Sequence, residues 1–209
     1  MRAIRFRATS GLLLLLAGAM ILMGIITAEA LYPAPYRTHL NTISDLGGTE
    51  PPEGIVLQPS AAIFDTTMVV TGVLVVVAAL LSRRSITTLL MGLGILGVGV
   101  FPGNTSPHPY FALLAFAAGG CAGIASARRT PPPLRYVLGG LGAIALVALG
   151  VGLFLSTWAP VASLGRGGIE RWIAYPVVLW LVVYGAHLAS TTASPTPDNR
   201  TAASAARGD

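Results

Sequence analysis

The chain has 209 residues, 54% of them hydrophobic and only 10% charged, with a mean hydropathy of +0.73. Soluble domains carry about 25% charged residues, so this chain has too little polar surface to cover a water-soluble globule, and lipid must cover it instead. The net charge of +5 rests on 13 basic residues, all arginine; their clustering at alternate helix ends reports membrane topology and excludes a nucleic-acid partner.

Six apolar runs, 11–28, 61–81, 86–101, 110–126, 136–157 and 172–190, are each close to the ~20 residues that a helix needs to cross the hydrocarbon core. They predict an all-α fold, a polytopic six-helix transmembrane bundle. Its helices are expected at about 11–30, 61–81, 86–101, 107–126, 136–157 and 170–190, in one domain over residues 1–190. Residues 191–209, rich in Ser, Thr, Ala and Pro, are expected to form a disordered cytoplasmic tail.

In chain order, Arg2, Arg5 and Arg7 precede the first run. Ala28-Glu29-Ala30 matches an A-x-A signal-peptide cleavage site, but the run before it exceeds the usual 7–15 residue apolar region, so it is read as a retained helix. A long loop over 32–59 follows, with Pro33, Pro35, Pro51, Pro52 and Pro59. Loops longer than ~12–15 residues in compact domains are usually functional or disordered. This one mixes in Leu40, Ile43, Leu46, Ile55, Val56 and Leu57, and is expected to pack on the mouth of the bundle. Its string His39-Leu40-Asn41-Thr42-Ile43-Ser44-Asp45-Leu46-Gly47-Gly48 is dense in hydrogen-bonding side chains. Ser44-Asp45 can be read as nucleophile and acid, but Ser, Asp and Gly together are ordinary turn and cap chemistry.

The second run opens with Pro59-Ser60, expected as an N-cap, and carries Asp65 among apolar and hydroxyl neighbours. An acid at that depth costs free energy unless paired or hydrated, and reads as functional by default. The alternative is that Asp65 pairs with Arg171 or with helix N–H groups and locks the bundle. Arg83 and Arg84 lead to the third run, whose Gly92-Leu93-Gly94-Ile95-Leu96-Gly97 matches the dinucleotide fingerprint in letters only, since no strand precedes it. Asn104-Thr105-Ser106 fits a glycosylation sequon close to the membrane. Ser106-Pro107 is expected to cap the fourth helix, with His108 in its first turn. Cys121 stands alone in that helix and can form no intrachain disulfide. Arg128, Arg129 and Arg135 precede the glycine-rich fifth run. Glu170-Arg171-Trp172 opens the sixth helix, either as a helix boundary with an interfacial Trp or as part of an anion site. Arg200 and Arg207 lie in the tail.

With six spans, ten of the arginines fall on one side, and the positive-inside rule puts both termini in the cytoplasm of a multi-pass cell-membrane protein. The second, fourth and sixth helices then begin at the outer surface, each with unpaired N–H groups and a positive dipole end. Asn41, Ser44, Asp45, Asp65, His108, Glu170 and Arg171, with His39 beside them, are the candidate ligand-binding residues of one outward-facing polar layer. His39 and His108 lack metal-ligand spacing, and His187 falls at the opposite membrane face. No metal, no cofactor and no catalytic constellation is expected.

Asn41 to Gly47, Ile63-Phe64-Asp65, His108 with Phe111-Ala112, and Gly168-Ile169-Glu170-Arg171-Trp172 together resemble the domain of unknown function 998 family, over about residues 11–189. The resemblance implies a six-helix integral membrane protein of bacteria or archaea with no assigned reaction. It also implies that Asn can stand in place of Asp65, which weakens a general-base role there.

Three functions fit these residues. The first is binding, with or without modification, of a lipid head group or other small anion at the outer leaflet. The second is small-solute or ion transport, against which stand the lack of mid-membrane charges and of matched helix interruptions. The third is a structural or partner-binding membrane subunit with no site.

Overall fold

The computed structural model describes residues 2–82 and 85–190. Arg83, Arg84, Arg200, Arg207 and the expected tail lie outside the described residues. The elements are helices α1 (Arg2–Ala30), α2 (Ser60–Ser82), α3 (Ile86–Val100), α4 (His108–Ala127), α5 (Leu134–Phe154), a short α6 (Ala159–Ala162) and α7 (Gly165–Ser190). A single 3-10 turn, Ser44–Leu46, interrupts the long loop, and no strand occurs among the described residues. The protein is an all-α polytopic membrane bundle.

Among the described residues five helices are long and apolar enough to cross a membrane. The third of the six expected spans, α3, has 15 residues. At 1.5 Å per residue it reaches about 22 Å, short of a ~30 Å hydrocarbon core. It lies between α2 and α4, so its neighbours rather than its own length set its depth.

The two largest departures from the sequence reading are at helix starts. Helix α1 runs back to Arg2, because no Gly or Pro interrupts the chain before Gly11 and Arg is a good helix former. The last long helix starts at Gly165 rather than near residue 170, so Glu170 and Arg171 stand in its second turn. Gly165 has φ +69°, and a side chain there would strike the His39 carbonyl. The expected serine caps are also corrected. Ser60 is already helical and donates to the Leu46 carbonyl at 3.2 Å, while Gln58 Oε1 accepts the Ala62 N–H at 3.2 Å. Ser106 caps nothing, and the first carbonyl of the α4 turn is that of Pro107.

The six long helices close into a ring, α1–α2–α3–α4–α5–α7 and back to α1. Small residues let backbones approach where lipid gives little drive for apolar burial. Between α4 and α5, a Cβ on Gly123 would fall 2.7 Å from Gly142 Cα. The glycines that mimic a nucleotide loop serve the same purpose: a Cβ on Gly94 would lie 2.7 Å from Ala115 Cα, which packs α3 on α4. Ser10 Oγ donates to the Ala78 carbonyl at 2.8 Å, a buried bond from α1 to α2. Near the far end of the ring Trp180, 1% exposed, donates its indole N–H to Ser126 Oγ at 2.8 Å. The α5 helix is the least enclosed, with Val147 and Phe154 facing outward.

Candidate functional site

The 31–59 loop folds back onto one end of the ring, the loop end. Its turn is built locally. Thr42 and Asp45 form a reciprocal capping box: Asp45 Oδ2 accepts the Thr42 N–H at 2.9 Å and Thr42 Oγ1 accepts the Asp45 N–H at 3.1 Å. Asp45 is therefore a cap, and its carboxylate faces Thr42 rather than activating Ser44. Ile43 and Leu46 point into the bundle, 5% and 0% exposed. This apolar pair is what plugs the ring.

Two adjacent residues of α7 hold the plug by opposite chemistry. Glu170 is an acceptor: its carboxylate takes the Ile43 N–H and, at 2.8 Å, the Ser44 hydroxyl. Arg171 is a donor. One terminal nitrogen serves the carbonyls of Thr38 at 2.7 Å, Asn41 at 3.0 Å and Gly167 at 3.0 Å. The other serves the Glu29 carboxylate and, at 3.0 Å, the Tyr36 hydroxyl. The guanidinium also lies over the Tyr36 ring, 5.7 Å from its centroid. Tyr36 in turn donates to the Thr42 carbonyl at 2.7 Å. Burial pushes the Tyr36 phenol above its ordinary value despite the nearby guanidinium, so it stays neutral and can both donate and accept.

Asn41 joins this network through its carbonyl, and its side-chain oxygen accepts the Arg37 N–H at 2.9 Å. The structure thus brings Asn41, Ser44, Asp45, Glu170 and Arg171 into one cluster. Asp65 lies next to it, against Gly47, where a side chain would collide with the carboxylate. The alternative pairing of Asp65 with Arg171 does not form: Arg171 takes Glu29 instead, and Asp65 Oδ1 is buried without a hydrogen-bond partner. His108, 5% exposed, is held by the turn before α4. Its Nδ1–H donates to the Phe101 carbonyl at 2.7 Å, since a carbonyl can only accept, and Nε2 is buried without a partner. His39 is exposed and contributes its carbonyl, which accepts the Gly167 N–H at 3.1 Å. Among the described residues no three His, Cys, Asp or Glu side chains gather as a metal site.

Two spaces flank α7. Inside the ring, beneath the plug, is a cavity of about 70 Å³. Ile21, Ile25, Phe64, Met68, Phe116 and Val178 are among the apolar residues that line it, with Ser44 and Glu170 as its polar members. Outside the ring, between α5 and α7, runs a groove of about 540 Å³. Thr38, His39, Ser163, Gly168 and Arg171 form its polar end, and Leu141, Ile144, Pro176 and Leu179 its apolar end. Trp172 and Tyr175 lie between the two.

Sequence reasoning missed Glu29, Tyr36 and the whole groove. Glu29 carried a signal, as an acid at the end of an apolar run. The groove carried none, because it joins residues from a loop and two helices far apart in the chain. No curated protein and no solved structure matches this chain. A family model does, over residues that include the long loop and the Glu170-Arg171 clamp: the chain belongs to the family described as Protein of unknown function (DUF998), matched over residues 15–187.

Proposed function

We propose that the protein binds a membrane phospholipid at the outer leaflet, with the lipid seated in the groove between α5 and α7. The observation that carries this reading is the groove's gradient, polar at the loop end and apolar toward mid-bilayer. From Gly168 to Leu179 a helix rises about 16 Å, roughly half a hydrocarbon core, which suits one acyl chain. The volume falls in the ~300–1,000 Å³ range of small-molecule sites. At the polar end the first turns of α7 offer a positive dipole end to a phosphate. Arg171 lines that end although Glu29 offsets its charge and its terminal nitrogens make three bonds to the loop, one to Glu29 and one to the Gly167 carbonyl. The reading is binding without chemistry: the Ser163 hydroxyl donates to the Pro160 carbonyl at 2.8 Å and not to His39.

A second reading, a structural or partner-binding subunit, is favoured by the number of bonds that Glu170 and Arg171 spend within the chain. Native mass spectrometry of the detergent-purified protein separates the two. A retained phospholipid that disappears in Ile144→Trp, which fills the apolar end, supports lipid binding. A wild-type protein free of lipid, or adducts indifferent to Ile144→Trp, favours the structural reading.

A further inference from the structure

The end of the ring away from the loop carries charge of one sign. The six acids of the described residues, Glu29, Asp45, Glu50, Glu53, Asp65 and Glu170, all stand in the long loop or within two turns of a helix end that faces it. The far end holds Arg7, Arg128, Arg129 and Arg135.

The helices do not end level there, and the difference makes a step. Trp180 bonds Ser126, one residue before the end of α4, and is therefore level with it. From Trp180, α7 continues to Ser190, about 15 Å farther. Helix α1 runs alongside: a Cβ on Gly11 would fall 2.5 Å from the Ala189 nitrogen, so Arg7, one turn earlier, stands level with the end of α7. These two helices form a wall, and the 128–133 link from α4 to α5 is the floor beside it. Trp180, Tyr184 and His187 share one face of α7 by their spacing, and their rings stack in series with centroids 5.2 Å and 6.4 Å apart. Trp180 turns that face to α4, so past the end of α4 Tyr184 and His187 face the step. Arg129 is exposed on the floor. The charges of Arg7 and Arg129 both bear on the Tyr184 phenol, and that of Arg7 on His187. Tyr136, 71% exposed beside Arg135, has the position of an interfacial aromatic and marks the head-group level at this end.

The geometry points to this step as a binding site for an anionic phospholipid of the leaflet at the far end, with the lipid phosphate between Arg7 and Arg129. Guanidinium forks match phosphate oxygens, and the Tyr184 hydroxyl and the His187 ring add hydrogen-bonding groups on the wall. A zwitterionic head brings its own ammonium, which the arginines repel; a phosphatidylglycerol head brings none. The site lies at the other end of the bundle from the polar end of the α5–α7 groove and does not rest on the lipid-binding reading above.

The test is native mass spectrometry of the full chain released from nanodiscs holding equal amounts of phosphatidylglycerol, phosphatidylethanolamine and phosphatidylcholine. Phosphatidylglycerol is expected to be retained over the other two by roughly 5-fold for each of the two arginines, the ratio for a basic residue near an anionic head group, and the preference should fall as salt rises. Arg7→Gln and Arg129→Gln are each expected to lose about 5-fold of it. Arg135→Gln, at the same end but with a charge that bears on neither ring, is expected to leave it whole. Arg7→Lys keeps the charge and should keep most of the preference, which separates loss of charge from loss of fold. Equal retention of the three lipids overturns the inference. So does a preference that survives Arg7→Gln and Arg129→Gln, or one that Arg135→Gln lowers as much. Inorganic phosphate offered to the lipid-free protein in detergent separates the two sources of phosphate: an adduct that the same two variants lose assigns the step to a soluble anion and overturns the lipid, and no adduct supports the lipid.

Discussion

Glu170 and Ser44 stand 126 positions apart in the chain, and the Glu170 carboxylate accepts the Ser44 hydroxyl at 2.8 Å. With the Ile43 N–H on its other oxygen, that carboxylate is the point at which the last long helix grips the first long loop. Glu170→Ala is expected to leave both donors facing an apolar cavity, at about 1–3 kcal/mol. Ser44→Ala removes only one bond and should cost about 1 kcal/mol. Thermal unfolding in detergent and limited proteolysis of the 31–59 loop measure both; equal losses for the two variants would mean that the Ile43 bond contributes nothing.

Arg171 meets acceptors that Lys cannot match, since an ammonium has three donors on one point and a guanidinium five in a fixed fork. Arg171→Lys is expected to lose about 1.5–3 kcal/mol, in the range for hydrogen bonds to a charged group. A double-mutant cycle with Glu29→Gln should show coupling between the two sites. Strict additivity would show that Arg171 acts through the loop carbonyls alone.

Asp65 is expected to respond in the opposite sense. Its Oδ1 is buried without a partner, so the charge is uncompensated on that side. Asp65→Asn should keep or raise the melting temperature. A loss above about 1 kcal/mol would reveal a bond to the carboxylate that Asn cannot replace.

Glu50 and Arg166 pair in the open, with side chains 55% and 68% exposed. The bond to Arg166 holds the Glu50 carboxyl below its ordinary value, against a smaller opposing effect of burial. A depressed carboxylate contributes stability above its unfolded pKa and loses it as pH falls through the lower folded value. Surface pairs contribute little, about 0–1 kcal/mol, so Glu50→Gln should shift the acid limb of a melting-temperature profile by no more than that. A larger shift would mean that the pair clamps the loop.

Gly123 and Gly142 set the closest approach of α4 and α5. Gly142→Val forces these backbones apart and is expected to cost about 1–3 kcal/mol, the range for overpacking. Gly140, with nothing within 4 Å of its would-be Cβ, should accept Val with little loss. The paired melting curves test whether the difference follows packing rather than helix propensity.

The candidate residues were legible because each is polar in a chain that has few polar residues. Their partners were not. Thr42-Ile43-Ser44-Asp45 closes on itself within four residues, so its turn could be read as cap chemistry. The Ser60 and Ser106 caps failed for the converse reason: Gln58 reaches the open N–H groups of α2, and the turn before α4 is closed by backbone carbonyls. Each local rule was sound, and a neighbouring group satisfied it first.

The apolar runs determined by themselves that this is a helical membrane protein, because burial in lipid depends on composition and length alone. Short strings that keep their order, such as Asn41 to Gly47 and Gly168 to Trp172, pointed to the family. Only the tertiary structure decided that Arg171 takes Glu29 and leaves Asp65 alone, that adjacent residues of α7 bind one loop by opposite polarity, and that a groove runs down the outside of that helix. These are facts of distance between segments more than 100 residues apart, and no periodicity along the chain encodes them. They follow from the closing of the ring, which sets α7 against α1 and brings its second turn under the loop.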